Sequence, residues 1–502
     1  MDGTTALIWV LALPLAASPA IYLSGRLGVR LGGSAVAGRW LAIAALAATG
    51  VPLYYAGKAV LAGETVGLTI GAICLRMDGV ALLIAGTALT LTTLVTIFSF
   101  PYIAREDSEE KYYALLPAMM ATMIGLGSAC DLFNLWVWFE AMAVTSYLLV
   151  AFYNRQRGAL EAGVKYLVQS AAGSALVLLG IALVFAQTGT LDLQGIRAAV
   201  SGPTPQVLVA GALFLVGFGV KAALVPLHTW LPDAHSQAPS GISAMLSGVV
   251  IEAGLVALIR SLGCLAAASP SWGLLILGFG AASMLVGNLM ALRQTQVKRL
   301  LAYSSVSHMG YMLVGFGVAI GYGVAGGAAG GFFHLINHAF MKGLAFLAAG
   351  ALLYTLHLSR GSHDPLTVDD LDGASARYPV TAFALTVAVL ALGGLPPLSG
   401  FMSKWQIFVS GFETRNTAVE LLVIFAALNS VLSLAYYAPL VNRLYRRTPS
   451  AAVAGGQSGS AWMGLPLVAL TLAVVVLGFW PGLADWITEP AASGLVAMFG
   501  GL

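Results

Sequence analysis

Eight ionisable residues stand inside otherwise apolar stretches of this 502-residue chain: Glu140, Lys221, Glu252, His308, His334, His338, Lys342 and Lys404. On insertion scales such a residue costs at least about 2.5–3.5 kcal/mol, which makes each a functional candidate by default. His334, His338 and Lys342 follow an i, i+4, i+8 spacing and share one helix face. Histidine exchanges protons near neutral pH with little perturbation, so this row can hand protons along a helix. Glu140 ends the run Leu135-Trp-Val-Trp-Phe-Glu140 and needs a counter-ion or a proton. Lys221 lies about one turn before Pro226. Burial disfavours a charged amine and a nearby carboxylate favours it, so a lysine there exchanges its proton when its partner moves. Lys404 follows a second break and reads as the last relay site before exit. Glu252 and His308 read as bridges between two halves, and His228 and His235 as gate or loop residues. The plainer readings are an interhelical ion pair at Glu140, lysines snorkelling to an interface, and core histidines satisfied by neighbours. A zinc site would use the same i, i+4 histidines, but neither an HExxH motif nor a third ligand is evident. No metal and no cofactor is expected.

The elements that hold these residues must be membrane helices. Hydrophobic residues make up 59% of the chain and charged ones 9%, where a soluble domain carries about 25% charged residues. Apolar runs of 18 or more residues recur from end to end, each able to cross a hydrocarbon core of about 30 Å. The runs are continuous, not alternating, which selects helices over a barrel. Fourteen spans are predicted, at 5–24, 39–60, 79–102, 112–130, 132–153, 162–187, 206–230, 240–262, 271–292, 299–321, 325–354, 379–408, 418–442 and 462–484. The first run, Leu7 to Leu23, has no basic segment before it and reads as a retained helix, not a signal peptide. Cys74, Cys130 and Cys264 form no CxxC pair, so no disulfide framework and no iron–sulfur or zinc site is expected. The net charge of +3 comes with no basic stretch suited to nucleic acid.

Charge sets the orientation. Of the 24 Lys and Arg, five (Lys58, Arg76, Arg197, Arg260, Arg415) fall in one set of alternate loops and helix ends, and three (Lys221, Lys342, Lys404) inside spans. The remaining 16, Arg105 among them, fall in the other set, which predicts both termini on the outer side of the cell (inner) membrane. Spans 7 and 12 contain breakers at mid-depth, Gly217 to Pro226 and Gly393-Gly-Leu-Pro-Pro397. Proline breaks the helical ladder, and paired interrupted segments in two halves point to a transport pathway. The breaks lie five spans apart. They suggest repeats made of spans 4–8 and 9–13, hence units 1–111, 112–262, 263–445 and 446–502.

Five motifs together resemble one family. They are Leu135-Trp-Val-Trp-Phe-Glu140, Lys221-Ala-Ala-Leu-Val-Pro-Leu-His-Thr-Trp-Leu-Pro-Asp-Ala-His235, Lys298-Arg-Leu-Leu-Ala-Tyr-Ser-Ser-Val-Ser-His308, His334-Leu-Ile-Asn-His-Ala-Phe-Met-Lys342 and Pro396-Pro-Leu-Ser-Gly-Phe-Met-Ser-Lys404. The chain resembles, over spans 3 to 13, the antiporter-like membrane subunits of complex I, of Mrp-type sodium/proton antiporters and of group 4 membrane-bound hydrogenases. The resemblance implies 14 helices, two inverted repeats, broken helices 7 and 12, a buried pair of Glu140 and Lys221, and Lys404 as the distal site. One departure is Glu252, where the family usually has a lysine; it reverses the charge of the bridge between halves.

The leading functional reading is a proton-translocating subunit of a multisubunit redox complex, of NADH-quinone oxidoreductase or hydrogenase type, with no redox centre on this chain. The alternatives are a subunit of an Mrp-type cation/proton antiporter and a structural, non-conducting subunit. The expected partners are other antiporter-like and small membrane subunits, the lipid bilayer and protons, with sodium left open.

Overall fold

The computed structural model describes residues 1–31, 35–71, 73–104 and 106–499, with Arg360 described by its backbone only. Arg105, counted above among the basic loops, lies outside the described residues. The chain is a bundle of helices with one small hairpin. Helices α1 (Gly3–Arg30) and α2 (Val36–Leu61) precede strands β1 (Val66–Ile70) and β2 (Ile73–Met77). Then come α3 (Gly79–Tyr102), α4 (Glu109–Ser128), α5 (Leu132–Val150), α6 (Arg157–Thr188) and the short α7 (Leu193–Ala199). The seventh span is split into α8 (Pro205–Lys221) and α9 (Trp230–Gln237). The eighth is α10 (Ser240–Met245), a π turn (Leu246–Val250) and α11 (Ile251–Gly263). Helices α12 (Trp272–Ala291), α13 (Val297–Tyr322) and α14 (Ala325–Leu356) lead through the small α15 (Ala374–Arg377) to the twelfth span, split into α16 (Pro379–Gly393) and α17 (Ser399–Glu413). The rest is α18 (Thr417–Leu444), α19 (Ala451–Gly455), α20 (Ala461–Phe479) and α21 (Asp485–Phe499).

Ten of these helices are long and apolar enough to cross a membrane. With α4, α13 and the two split spans they make the fourteen crossings expected, and the chain is an all-α membrane protein. The segment from Ser240 to Gly263 is wholly buried inside the protein, and α14 nearly so. Glu252, His334, His338 and Lys342 sit on these two innermost elements, away from the lipid-facing surface.

Both breaks fall where proline removes a backbone donor. The Val225–Pro226 and Pro396–Pro397 peptides are cis. Ala223 has φ +52°, a left-handed conformation unusual for a side chain with a Cβ. Gly394, at φ +80°, supplies the corresponding turn after α16. At the first break the Trp230 indole N–H donates to the Val220 carbonyl at 2.7 Å, so a buried acceptor freed by the break is satisfied.

Three features depart from the sequence reading. Strands β1 and β2 pair antiparallel as a hairpin, with Val66 opposite Met77 and Ile70 opposite Ile73. A fifteen-residue helix, α21, follows the last span and packs over the start of α3, where a Cβ on Gly79 would meet Pro490. Cys74 and Cys130 are joined by a disulfide, against the expectation of none. The pairing is invisible as a motif because it closes over a sequence separation of 56 residues. The hairpin folds back to the α4–α5 junction, where Asp131 accepts from Cys74 N–H at 3.1 Å and caps α5 through Asn134 N–H at 2.6 Å. Closing a loop of that length is worth about 4 kcal/mol in the chain-entropy account. Cys130→Ser is therefore expected to lower the thermal inactivation midpoint of the purified protein, as reductant does for the parent but not for the variant.

Candidate functional site

Lys221 is the last residue of α8, where the negative end of the helix dipole favours a cation. Its ammonium donates to the Tyr166 hydroxyl at 2.6 Å and lies 4.7 Å from the centre of the Tyr166 ring. It also lies 5.8 Å from the Phe139 ring centre. Tyr166 in turn stacks on Trp230 with ring centres 3.9 Å apart, so the break and the lysine are fixed by the same aromatic pair. Helix α11 passes close by: a Cβ on Gly254 would stand 3.0 Å from the Lys221 Cβ.

Glu140 follows Phe139 on α5 and is half-buried. It is the carboxylate that acts on Lys221 electrostatically. No direct ion pair joins the two among the described residues, and Glu140 Oε1 is buried without a hydrogen-bond partner. The expected pair is thus open in this structure: Tyr166 takes the amine, while the carboxylate has an unfilled acceptor. Sequence reasoning missed Tyr166; its place in the run Lys165-Tyr-Leu-Val-Gln169 gave no charge signal.

The centre of the protein holds a continuous polar array. Glu252 and His338 are fully buried, and Glu252 Oε1 lies 2.8 Å from His338 Nδ1. The π turn just before Glu252 widens the helix, a feature frequent at functional positions. His308 stacks on His338 with ring centres 5.2 Å apart. Its Nδ1 is 3.0 Å from His334 Nε2. His334 Nδ1 is 2.8 Å from the Ser403 hydroxyl. Ser403 is the chain neighbour of Lys404, so hydrogen bonds and ring contacts run from α11 through α14 and α13 to α17. These contacts occupy both nitrogens of His334 and one of His338, which leaves little for a metal ion.

Lys342 departs from this line. Although on the same helix face, it donates to the Leu301 carbonyl at 2.8 Å and the Ser304 hydroxyl at 2.5 Å. Ser304 is hydrogen-bonded to Tyr437 on α18, which opens a side branch, not the next step after His338.

Lys404 is held by the second break. Its ammonium donates to the Leu392 carbonyl at 2.8 Å, a C-terminal acceptor of α16, and to the Ser430 hydroxyl at 2.8 Å. It stands 4.5 Å from the Tyr311 ring centre. Here, as at Lys221, a cation sits at the C-terminal end of a half-helix, the arrangement that broken transport helices use for cations.

His228 and His235 lie outside the array. Among the described residues, His228 Nδ1 and both His235 nitrogens are buried without a hydrogen-bond partner. His235 stacks on Phe346 at 4.6 Å. Nearby, Lys298 is buried and donates to the Ala238 carbonyl. The sequence counts Lys298 among the basic loops and helix ends, since it opens α13 next to Arg299. In the fold it lines a cavity of ≈ 130 Å³ with Tyr102, Tyr153 and His363, on the face of the basic loops. In the adjoining cavity, which shares His363 and Tyr153, burial pushes the Glu106 carboxyl up, against the pull of His363 at 3.8 Å.

The chain is similar to known proteins over most of its length. Residues 129–433 match the family described as NADH:quinone oxidoreductase/Mrp antiporter, membrane region. The chain is 34% identical over 434 residues to F(420)H(2) dehydrogenase subunit N of Methanosarcina mazei, covering 85% of this chain and 86% of that one. It is 35% identical over 433 residues to NADH-quinone oxidoreductase subunit N of Deinococcus radiodurans, covering 84% of each. Among solved structures, a chain of the membrane-bound sulfane sulfur reductase, an archaeal respiratory membrane complex, superposes with a TM-score of 0.86 at 28% identity, over 99% of each chain. A chain of the Mrp complex from Dietzia sp. DQ12-45-1b shares the fold, with a TM-score of 0.83 at 22% identity, over 98% of each chain.

Proposed function

Because this chain belongs to the family of NADH:quinone oxidoreductase and Mrp antiporter membrane subunits, we propose that it moves protons across the membrane as one subunit of a multisubunit redox complex. The observation that carries this reading is the buried array from Glu252 through His338, His308 and His334 to Ser403 beside Lys404. A subunit that only filled space would not hold five ionisable groups in its core at the cost of their desolvation. Lys221 is the loading site, Glu140 its movable partner, Glu252 the bridge, and Lys404 the distal site. Lys342, His228 and His235 are side or gate positions. The two broken spans belong to inverted repeats within 112–262 and 263–445, flanked by 1–111 and 446–502.

Its partners are other membrane subunits. Glu140, half-buried with an unfilled acceptor, faces a neighbouring subunit that supplies a positive charge. The hairpin, with its disulfide, lies on the outer side with both termini; oxidising compartments are where disulfides persist, and 16 basic residues favour the opposite face. Sodium is not needed for this reading.

The test isolates the native complex through a tag on this chain and reconstitutes it in vesicles. Proton uptake driven by a reduced electron donor, with no sodium gradient, is the expected result. Uptake that needs a sodium gradient and no donor would assign the chain to a cation/proton antiporter instead. No uptake under either condition would leave it a non-conducting subunit.

A further inference from the structure

Three of the five basic residues that the sequence assigns to the hairpin face converge on one cavity. Arg76 comes from β2, Arg197 from α7 and Arg260 from the end of α11, and together they line a space of ≈ 240 Å³ under α21. One carboxylate, Asp78, lines it too. That carboxylate is already engaged: both of its oxygens accept from Arg260 Nη2, at 2.7 and 2.9 Å, and it caps α3 through Ala81 N–H. Arg260 is 5% exposed, donates also to the Gly127 carbonyl at 2.7 Å, and keeps a buried Nε with no partner. Arg197 donates to the Ala497 carbonyl on α21. The Arg76 guanidinium makes no hydrogen bond or ion pair among the described residues.

Cations gathered this way repel one another, and an unpaired buried N–H costs free energy. A face otherwise poor in Lys and Arg has no general reason to concentrate them. An anion removes both costs. Guanidinium forks match the oxygens of a phosphate, and charge-assisted bonds of this kind are about twice as strong as neutral ones. Apart from Gln194, the remaining wall is apolar, with Leu193, Cys264 and Met498, and the cavity lies level with the first residue of the α3 span.

We propose that this cavity binds a phosphate-class oxyanion, carried by an anionic phospholipid head group or free in solution. The bound anion ties β2, α7, α11 and α21 together on the hairpin face. This is independent of the proton relay, which runs through other residues.

The test uses the assembled complex, delipidated in detergent and followed by thermal unfolding at constant ionic strength. It is titrated with inorganic phosphate, and separately with phosphatidylglycerol in mixed micelles, phosphatidylcholine serving as the uncharged-net control. Protection by phosphate alone assigns a free anion; protection by phosphatidylglycerol without phosphate assigns a lipid head group. Arg76→Gln and Arg197→Gln, both at accessible positions, are each expected to raise the half-saturating concentration roughly tenfold. Lys58→Gln, on the same face but outside the cavity, is expected to leave it unchanged. The proposal is overturned if neither compound protects, if both arginine variants keep the parental half-saturation, or if Lys58→Gln shifts it equally.

Discussion

Lys221→Ala, in complex that assembles to the parental level, is expected to lower proton uptake into vesicles by roughly 10²-fold or more, the scale of removing a positioned proton donor. The argument starts from what surrounds the amine. Lys221 has one direct hydrogen-bond partner in its hydroxyl neighbour Tyr166, plus two aromatic faces. Its nearest electrostatic partner, Glu140, is not in contact and has an acceptor to spare. A carboxylate approaching Lys221 keeps the proton on the amine; one drawn towards a positive charge on a neighbouring subunit releases it. Glu140→Ala should then lower uptake in the same way, and Glu140→Asp should retain part of it. Tyr166→Phe removes the hydroxyl but keeps the ring, so its loss should be smaller, about tenfold, in line with about 1–3 kcal/mol for a buried donor left short of an acceptor. All rates are normalised to assembled complex. Parental uptake by Lys221→Ala would remove Lys221 from the mechanism.

The spans were legible in the sequence because hydrophobic length is a one-dimensional signal. The broken helices were legible because proline and glycine act locally. The buried charges stood out against apolar neighbours for the same reason. What could not be read were pairings between distant residues. Nothing local says that Cys74 meets Cys130, that Tyr166 rather than Glu140 meets Lys221, or that Ser403 carries the histidine line to Lys404. Lys298 stands at a helix end, as its sequence suggests, but a basic residue there reads as solvated; its burial shows only in the fold, where the Ala238 carbonyl between α9 and α10 takes its ammonium. Lys342 shows the limit of periodicity. Its spacing from His338 is right for a relay, but its ammonium turns to the α13 backbone.

Glu252→Gln carries the second large expected effect, because it tests the hydrogen bond by which the proposed relay passes from α11 to α14. Glu252 Oε1 and His338 Nδ1 share a hydrogen bond of 2.8 Å, while the outer atoms of the pair, Glu252 Oε2 and His338 Nε2, are buried with no partner. Each end of that bond therefore has one free site. A proton arriving at Oε2 lets the carboxyl hand the shared proton from Oε1 to Nδ1, and the imidazole, stacked on His308 at 5.2 Å between ring centres, can then release a proton from Nε2. Glutamine keeps the shape and a hydrogen bond, so packing is preserved, but its amide cannot take up the arriving proton. Uptake is expected to fall by roughly 10²-fold with assembly unchanged, and Glu252→Asp should recover part of it. Glu252→Ala is the poorer test, since stripping one partner from a buried pair costs about 3–5 kcal/mol of stability and confounds loss of folding with loss of relay. Glu252→Lys puts the usual family residue at this place, but without a carboxylate His338 keeps no acceptor, and uptake should stay low. If Glu252→Gln complexes take up protons at the parental rate, the bridge runs through water or through Ser247 and Ser305, which meet 2.6 Å apart beside it, and not through this carboxylate.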